Sequence, residues 1–306
     1  MKRVGFIYDD VFLRHATPAY HPERKERLLS ITQSLRESGL WQKLVHIKPQ
    51  KAEISDIEKV HAHSYVERVL KSNPAYFDPD TYFSEGTLEA SLCAAGAVIA
   101  AITGCRSGEI DRAFCAVRPP GHHAEADRAM GFCIFNNIAV GARYAQKTGF
   151  GKVFIADFDV HHGNGTQHMF YDDDTVFYFS THQYPHYPGT GSERERGRGR
   201  GEGFTCNIPM DAGSGDREYE AAYHDTLYAL VKDFNPDIFL ASAGYDIHMS
   251  DPLASIRVSD DGIGKIVSGI LSSKKDIPYI FTLEGGYNLD ALGRGVATTI
   301  QEMMRG

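Results

Sequence analysis

The chain has 306 residues, of which 42% are hydrophobic and 24% charged, and it carries a formal net charge of -8. This length is enough for a sizeable core, and the acidic balance argues against a direct nucleic-acid partner or an acidic lipid surface. The most apolar stretch, residues 93–102, is about half of a membrane span, so we expect no membrane contact. Five cysteines form no CxxC pair, which favours reduced thiols in a cytoplasmic protein. The sequence gives no indication of oligomeric state.

Short β-branched runs alternate with helical patterns along the chain. Strands are predicted at residues 2–8, 44–48, 113–117, 152–159, 176–181, 238–243 and 279–283. Helices are predicted at residues 23–37, 84–103, 135–147, 216–233, 259–273 and 289–304. Several of the strands are almost wholly apolar, which is typical of strands buried on both faces. The alternation predicts a single domain over residues 1–306 with an α/β fold: an open, mostly parallel sheet with helices on both faces.

Chemically distinctive residues follow four of the predicted strands. They are the pair His122 and His123, the Asp159-x-His161 run, the segment 246–251, and the segment 284–287. Because loops at the carboxyl ends of parallel strands meet at one edge of a sheet, we expect these residues to form one site.

A metal site is the first expectation for that edge. Asp159 and His161 are two residues apart, so in an extended segment both side chains point the same way and could reach one ion. Asp251, from another strand end, is expected as the third ligand. Three protein ligands with an open position for water describe a catalytic zinc site, although the oxygen and nitrogen ligand set also accepts ferrous iron. The pattern predicts a metal-dependent hydrolase.

Proton transfer and oxyanion stabilisation have candidates on neighbouring loops. His122 and His123 are candidates for the general base and acid, and Tyr287, after two glycines, could donate a hydrogen bond to a developing oxyanion. Two-metal ureohydrolases resemble this architecture but hold their second metal with an Asp-x-His-x-Asp run. Gly163 stands at the last position of that run here, so a mononuclear site is favoured.

Taken together, these motifs resemble the histone deacetylase superfamily, in particular the class II histone deacetylase-like amidohydrolases of the bacterial, single-domain type. The matching runs are His-Pro-Glu-Arg at 21–24, Arg-Pro-Pro-Gly-His-His at 118–123, Asp-Val-His-His-Gly-Asn-Gly-Thr-Gln at 159–167, Tyr-Pro-Gly-Thr-Gly at 187–191, Asp-Pro-Leu at 251–253 and Glu-Gly-Gly-Tyr-Asn at 284–288. The resemblance implies an arginase-type open α/β fold, one catalytic zinc, and hydrolysis of an acetylated amine to acetate.

The resemblance also implies roles for residues of the reaction centre. His123 becomes the principal general base and acid and His122 its electrostatic partner, with Asp157 behind His122 and Asn164 behind His123. An amide at position 164 is the class II pattern, whereas class I relatives have an aspartate there. The amide should make His123 less basic than an aspartate would. Tyr287 would bind the scissile carbonyl, and its presence indicates full activity. Zinc falls to Asp159, His161 and Asp251.

Further positions match substrate and potassium sites of the family. The acyl-lysine tunnel would be formed by Gly131, Phe132, Tyr187 and Gly285, where Tyr187 replaces the family's usual phenylalanine. Asp80, or else Asp78, is the expected rim carboxylate that grips the substrate backbone. A structural potassium ion is expected at Asp157, Asp159, His161, Ser180 and Thr181.

The substrate class remains open between two acetylated amines. Acetyl-lysine in proteins or peptides is favoured, and an acetylated polyamine is the alternative. Polyamine-specific relatives carry a glutamate seven residues after the last zinc-binding aspartate, and counting from Asp251 reaches the apolar Val258. A third hypothesis, an acyl-lysine binding module with weak catalysis, would be marked by loss of Tyr287 or a zinc ligand, and these residues are present.

Overall fold

The computed structural model describes residues 1–305 and contains a large parallel sheet and a small hairpin. In chain order the strands are β1 (Val4–Ile7), β2 (Val45–Ile47), β3 (Ala75–Tyr76), β4 (Tyr82–Phe83), β5 (Arg112–Cys115), β6 (Val153–Asp157), β7 (Val176–Gln183), β8 (Thr205–Met210), β9 (Ile238–Ala243) and β10 (Tyr279–Leu283). Eight strands form the large sheet in the order β2-β1-β5-β10-β9-β6-β7-β8, and β3 pairs with β4. All seven neighbouring pairs in the large sheet are parallel.

The helices alternate with these strands. They are α1 (Glu26–Glu37), α2 (Ile54–Ile57), α3 (His63–Leu70), α4 (Thr87–Arg106), α5 (Asn137–Lys147), α6 (Asn164–Phe170), α7 (Asp216–Ala221), α8 (Leu227–Phe234), α9 (Asp260–Ser272) and α10 (Leu289–Met304). Helix α4 packs against α5, whereas α10 packs against α1 and α9. Every residue of β6, β9 and β10 is buried, so these central strands are covered on both faces. The predicted α/β class with an open, mostly parallel sheet is confirmed.

The elements that the sequence analysis missed are short or at an edge. Strand β8 is the last strand of the sheet and contains Pro209, a residue that sheets tolerate at edge strands. Helices α2, α3 and α6 have at most eight residues each, too short for a clear helical period. The predicted helix 216–233 is divided into α7 and α8 by a π-helical segment, Ala222–Thr226.

Helix α4 corrects the expectation that no stretch is long and apolar enough for a membrane span. It has 20 residues and meets that criterion by length and composition, but 67% of its most apolar window is buried inside the protein. Its small residues allow close packing: a Cβ added to Gly96 would lie 1.8 Å from the carbonyl oxygen of Gln50. Packing against β1, β5 and α5 therefore accounts for its apolar surface.

Helix caps at the carboxyl edge of the sheet fix the loops that carry the site. The side chain of Ser259 accepts from Gly262 N at the start of α9, as its position before two aspartates indicates. Asn288 caps α10 by accepting from Ala291 N, immediately after Tyr287. These caps satisfy amides that a helix leaves without partners and so set where each loop ends.

Candidate active site

A cluster of three side chains that could hold a metal lies at the carboxyl edge of the sheet. Asp159 and His161 follow β6, and Asp246 follows β9; one ligand atom from each lies within 4.8 Å of the others. Nδ1 of His161 is 3.1 Å from Oδ1 of Asp159 and 3.2 Å from Oδ2 of Asp246. Strands β6 and β9 are parallel neighbours in register from Val153 to Asp157, which brings the two loops together.

The donor set fits a divalent cation. Oδ2 of Asp246 is buried, and its 3.2 Å contact with Nδ1 of His161 lacks hydrogen-bond geometry, so this oxygen has no hydrogen-bond partner within residues 1–305. Burial and the charge of Asp159 raise the pKa of Asp246 to about 7, because two neighbouring carboxylates repel each other. Carboxylate oxygens with an imidazole nitrogen are ligands that zinc and ferrous iron accept.

Asp246 occupies the position that the sequence analysis gave to Asp251. Oδ2 of Asp251 accepts from the amides of Tyr287 at 2.6 Å and Asn288 at 3.1 Å, and Oδ1 accepts from Leu253 N at 3.1 Å. These three amides turn Asp251 towards the Tyr287 loop and away from the metal-capable cluster. The third candidate ligand is therefore Asp246, five residues closer to β9 than Asp251.

The tandem histidines lie beside this cluster with different partners. Nδ1 of His122 is 3.1 Å from Oδ2 of Asp157, and Nδ1 of His123 is 2.8 Å from Oδ1 of Asn164. Burial disfavours a charge on either ring. The carboxylates of Asp159 and Asp157 overcome burial at His122 and raise its pKa to about 10. Burial and the charge of His122 instead hold the pKa of His123 well below its usual value, so the surroundings favour a cation at His122 and a neutral ring at His123.

Two buried charged residues that received no role from sequence fix the surrounding backbone. Oε2 of Glu284 accepts from the amides of Gly121 at 2.7 Å and His122 at 3.2 Å. The Arg27 guanidinium donates to the carbonyl oxygens of Glu284 and Gly286 and lies 5.0 Å from the ring centroid of Tyr287. Glu284 lies in the matching run 284–288, and Arg27 lies three residues after the run 21–24. Their contacts, however, span more than 150 residues of sequence.

A narrow cavity of about 200 Å³ leads to the cluster. The residues that line it are Asp80, Pro120, His122, His123, Gly131, Phe132, His161, His186, Tyr187, Leu253, Gly285 and Tyr287. The ring of Tyr187 meets His123 edge to face at 5.1 Å, and Phe132 meets Tyr287 at 6.1 Å. Gly131 has φ +56°, and a Cβ there would lie 2.5 Å from the His123 ring. The structure thus gathers the predicted tunnel residues around one opening.

The rim carboxylate and Gly285 are placed by hydrogen bonds. Asp80 lines the cavity, whereas Oδ1 of Asp78 accepts from the amides of Asp80 and Thr81 and supports their loop. Gly285 donates its amide to Oδ2 of Asp159 at 2.7 Å, and a Cβ there would lie 2.1 Å from Oδ2 of Asp246. Gly285 therefore holds the carboxylate cluster as well as lining the cavity.

The expected potassium residues are adjacent, and Gly163 leaves no room for a further carboxylate. Asp157 and Ser180 are register partners in β6 and β7, and both are buried. The Thr181 hydroxyl is 3.0 Å from that of Tyr223. A Cβ on Gly163 would lie 2.3 Å from Oδ2 of Asp157, so the Asp-x-His-x-Asp run of two-metal enzymes does not fit here.

The fold and site belong to a known class of protein. Residues 21–303 match the family model described as the histone deacetylase domain. The crystal structure of the HDA15 HD domain superposes with a TM-score of 0.93 at 35% identity, over 98% of this chain and 87% of that one. The chain belongs to the histone deacetylase family.

Curated relatives include an archaeal protein and several eukaryotic ones. A probable deacetylase of Archaeoglobus fulgidus is 37% identical, over 94% of this chain and 82% of the relative. Histone deacetylase 5 of Arabidopsis thaliana is 37% identical over 99% of this chain, and histone deacetylase 9 of Homo sapiens is 35% identical over 94%. The chain spans 49% and 32% of these two longer proteins. Family membership supports a deacetylase, and hence hydrolase, activity.

Proposed function

We propose that this protein is a zinc-dependent deacetylase that removes acetyl groups from lysine side chains of proteins or peptides. The observation that supports it best is the buried Asp159, His161 and Asp246 cluster at the floor of a narrow, aromatic-walled cavity. When bound there, zinc supplies Lewis acidity that polarises an amide carbonyl and makes water more acidic. The ferrous ion is the alternative metal.

The chain's own residues supply the remaining steps. The rings of Phe132 and Tyr187 flank the aliphatic stem of the substrate, and Asp80 at the mouth accepts hydrogen bonds from its backbone. His123, neutral and lining the cavity, takes the proton of the attacking water and returns one to the leaving amine. The positive charge on His122 stabilises the anionic centre as it forms. These roles rest on the position of each residue in the structure and, for the two histidines, on the charge that their neighbours favour.

Tyr287 is the proposed oxyanion donor. Burial raises the pKa of its phenol well above the usual value, so the hydroxyl keeps its proton and can donate to the carbonyl oxygen. Asp251 supports this role because it accepts from the Tyr287 amide. The cation–π contact of Arg27 with the Tyr287 ring also holds it in place.

Acetyl-lysine is preferred to an acetylated polyamine because the rim position that carries a glutamate in polyamine-specific relatives is apolar here. With Asp246 as the last zinc ligand, that position changes from Val258 to Leu253. Counting seven residues from Asp246 reaches Leu253, which lines the cavity. An apolar side chain at this rim position offers no anion for the free ammonium group of a polyamine.

We also propose a structural potassium ion, bound by Asp157, Asp159, His161, Ser180 and Thr181. We further propose that the whole chain is one domain and that the protein is located in the cytoplasm. The free thiols of all five cysteines support the cytoplasmic location.

The metal assignment is tested with a matched pair of aspartates. Asp246→Asn should lose zinc, measured as bound metal per chain after desalting, together with acetate release. Asp251→Asn should retain zinc and lose turnover through the Tyr287 loop. Zinc loss in Asp251→Asn but not in Asp246→Asn would reverse the assignment, and iron in the protein purified without added metal would change the cofactor.

The substrate class is tested by kcat/KM on acetyl-lysine peptides, acetylputrescine, acetylspermidine and longer acyl-lysines. We expect the peptides to be preferred and Tyr287→Phe to lower kcat about 100-fold. A hundredfold preference for free polyamines would overturn the lysine assignment. Binding of acetyl-lysine peptides without turnover of any of these substrates would favour a binding module instead.

A further inference from the structure

A chain of hydrogen-bonded side chains leads from His123 to the protein surface. Oδ1 of Asn164 lies 2.8 Å from Nδ1 of His123, and Nδ2 of Asn164 donates to Oε1 of Glu125 at 2.6 Å. Nδ1 of His168 lies 2.9 and 3.1 Å from the two carboxylate oxygens of Glu125. The side chain of Glu125 is 9% exposed and that of His168 46% exposed. This series of hydrogen bonds thus connects the buried His123 ring at the cavity with the His168 ring, which is in contact with solvent.

The carboxylate of Glu125 determines which way the Asn164 amide faces. An ionised carboxylate only accepts hydrogen bonds, so it must face the NH₂ group of the amide and not its oxygen. Burial opposes ionisation, but hydrogen bonds from His168 and Asn164 outweigh it and lower the pKa of Glu125. A reversed amide would set Oδ1 against this anion at a distance where a hydrogen bond now exists. One orientation of Asn164 is therefore strongly favoured.

The orientation of the amide in turn determines the tautomer of His123. Oδ1 of Asn164 can only accept, so Nδ1 of a neutral His123 carries the proton and Nε2 keeps its lone pair. A reversed amide would donate to Nδ1 and move the proton to Nε2. A ring protonated at Nε2 could not accept a proton on the cavity side.

We propose that Glu125, held in place by His168, is a positioning residue that fixes the Asn164 amide and through it the tautomer of His123. The inference rests on the proposed function, in which His123 accepts the proton of water. Glu125 touches neither the cavity nor the Asp159, His161 and Asp246 cluster. Its effect is expected in kcat and not in substrate binding.

Three substitutions at one position grade this effect. Glu125→Gln keeps an acceptor oxygen for Nδ2 and should lower kcat about threefold, whereas Glu125→Ala should lower it about tenfold. Glu125→Lys places a donor against Nδ2, favours the reversed amide, and should lower kcat about 100-fold. KM for an acetyl-lysine peptide should stay within about twofold throughout, since no substrate contact changes. His168→Ala should fall between wild type and Glu125→Ala.

A second substitution should rescue the most damaged variant. In Glu125→Lys/Asn164→Asp, the new carboxylate can accept from both Nδ1 of His123 and the lysine, so kcat should recover at least tenfold over Glu125→Lys. Asp127→Asn is the matched control, because this neighbouring carboxylate is 72% exposed and outside the hydrogen-bonded chain. Thermal unfolding of every variant separates loss of folding from loss of positioning.

Nitrogen-15 NMR of the histidine rings in the zinc-loaded protein reads the tautomer without turnover. Wild type should show His123 protonated at Nδ1, Glu125→Lys should shift the proton to Nε2, and the double variant should restore Nδ1. If the wild type hydrolyses no acetylated amine, the proposed function fails while this measurement still tests the tautomer. Retention of the Nδ1 proton and of kcat in a folded Glu125→Lys protein would overturn the inference.

Discussion

His122 and His161, the first members of the two histidine pairs, face buried carboxylates, whereas His123 and His162, the second members, face neutral amides. Burial opposes a charge on every one of these rings. Carboxylates overcome it at the first members and raise the pKa of each to about 10. The pKa values of the second members are held well below normal, by burial and by a neighbouring histidine. Identical dipeptides therefore hold one histidine beside carboxylates, which favour positive charge, carried by a proton or at His161 by a metal ion in its place, and one histidine favoured as a neutral ring.

The two neutral rings differ in how many of their nitrogens are occupied. Nδ1 of His162 lies 2.7 Å from the Thr190 hydroxyl and its Nε2 lies 3.0 Å from Oε1 of Gln167. His123 uses Nδ1 for Asn164, lines the cavity, and has no partner for Nε2 among residues 1–305. A neutral histidine acts as a base only when one nitrogen remains free to accept. This difference supports the proposed proton-transfer role of His123 and a structural role for His162.

The largest expected effect concerns the first members. His161→Ala should reduce acetate release to the uncatalysed background and remove bound zinc. Even mutation of a residue that only hydrogen-bonds to a metal ligand costs about 10- to 100-fold in metal affinity or activity. Bound metal per chain and acetate release are measured on the same preparation. Full zinc content in His161→Ala would contradict the ligand role and leave the two pairs equivalent.

His123→Ala should lower kcat about 1000-fold while zinc content stays at the wild-type level. The physical reason is loss of the free nitrogen that accepts the proton, with the carboxylate cluster unchanged. Steady-state kinetics with metal analysis checks both halves. His162→Ala, the matched control, should keep kcat within about threefold per folded molecule; equal losses in the two variants would remove the distinction between the neutral rings.

Stability at acid pH should report the buried neutral histidines. The ring of His182 packs 4.6 Å from that of His162, and burial lowers the pKa of His182 from 6.5 to about 4. Because the unfolded chain takes up a proton below pH 6.5 and the folded chain does not, stability is full above that pH and declines as the pH falls towards 4. His182 contributes about 3 kcal/mol to this decline.

Urea unfolding at pH values from 7 to 4 measures this dependence. In His182→Gln the free energy of unfolding should fall less steeply with pH, because glutamine can still donate to the Gly191 carbonyl and accept from Ser180 without titrating. An unchanged slope in His182→Gln would mean that the ring is not held neutral by burial.

The smallest effect is expected for the stability of His162→Ala. Removing the ring leaves the Thr190 hydroxyl without this partner and opens a small cavity, at a cost of about 2 kcal/mol. Gln167 remains bonded because its Oε1 also accepts from Asn207 at 2.7 Å. Denaturant unfolding at pH 7 checks the value. A loss of activity without any loss of stability would show that the second pair holds a second reactive ring.

Much of the fold was predictable because its signals are local. Apolar runs such as Ile238–Ala243 predict strands buried on both faces, and Ser259 before two aspartates predicts the start of α9. The edge strand Thr205–Met210 was missed because it is half buried and contains a proline. Short helices were missed because eight residues or fewer give little more than two turns of periodicity.

By itself the sequence determined the α/β class, the edge of the sheet where the site forms, and the pairing of Asp159 with His161, whose two-residue spacing fixes their common direction. Only the tertiary structure decided between Asp246 and Asp251, because both follow the same strand and are equally suitable as ligands in chemistry. The amides of Tyr287 and Asn288, from a different loop, donate hydrogen bonds to Asp251, whereas Asp246 lies in the metal-capable cluster. The link from His123 through Asn164 to Glu125 was equally beyond sequence, because hydrogen bonds between residues about 40 positions apart have no local pattern.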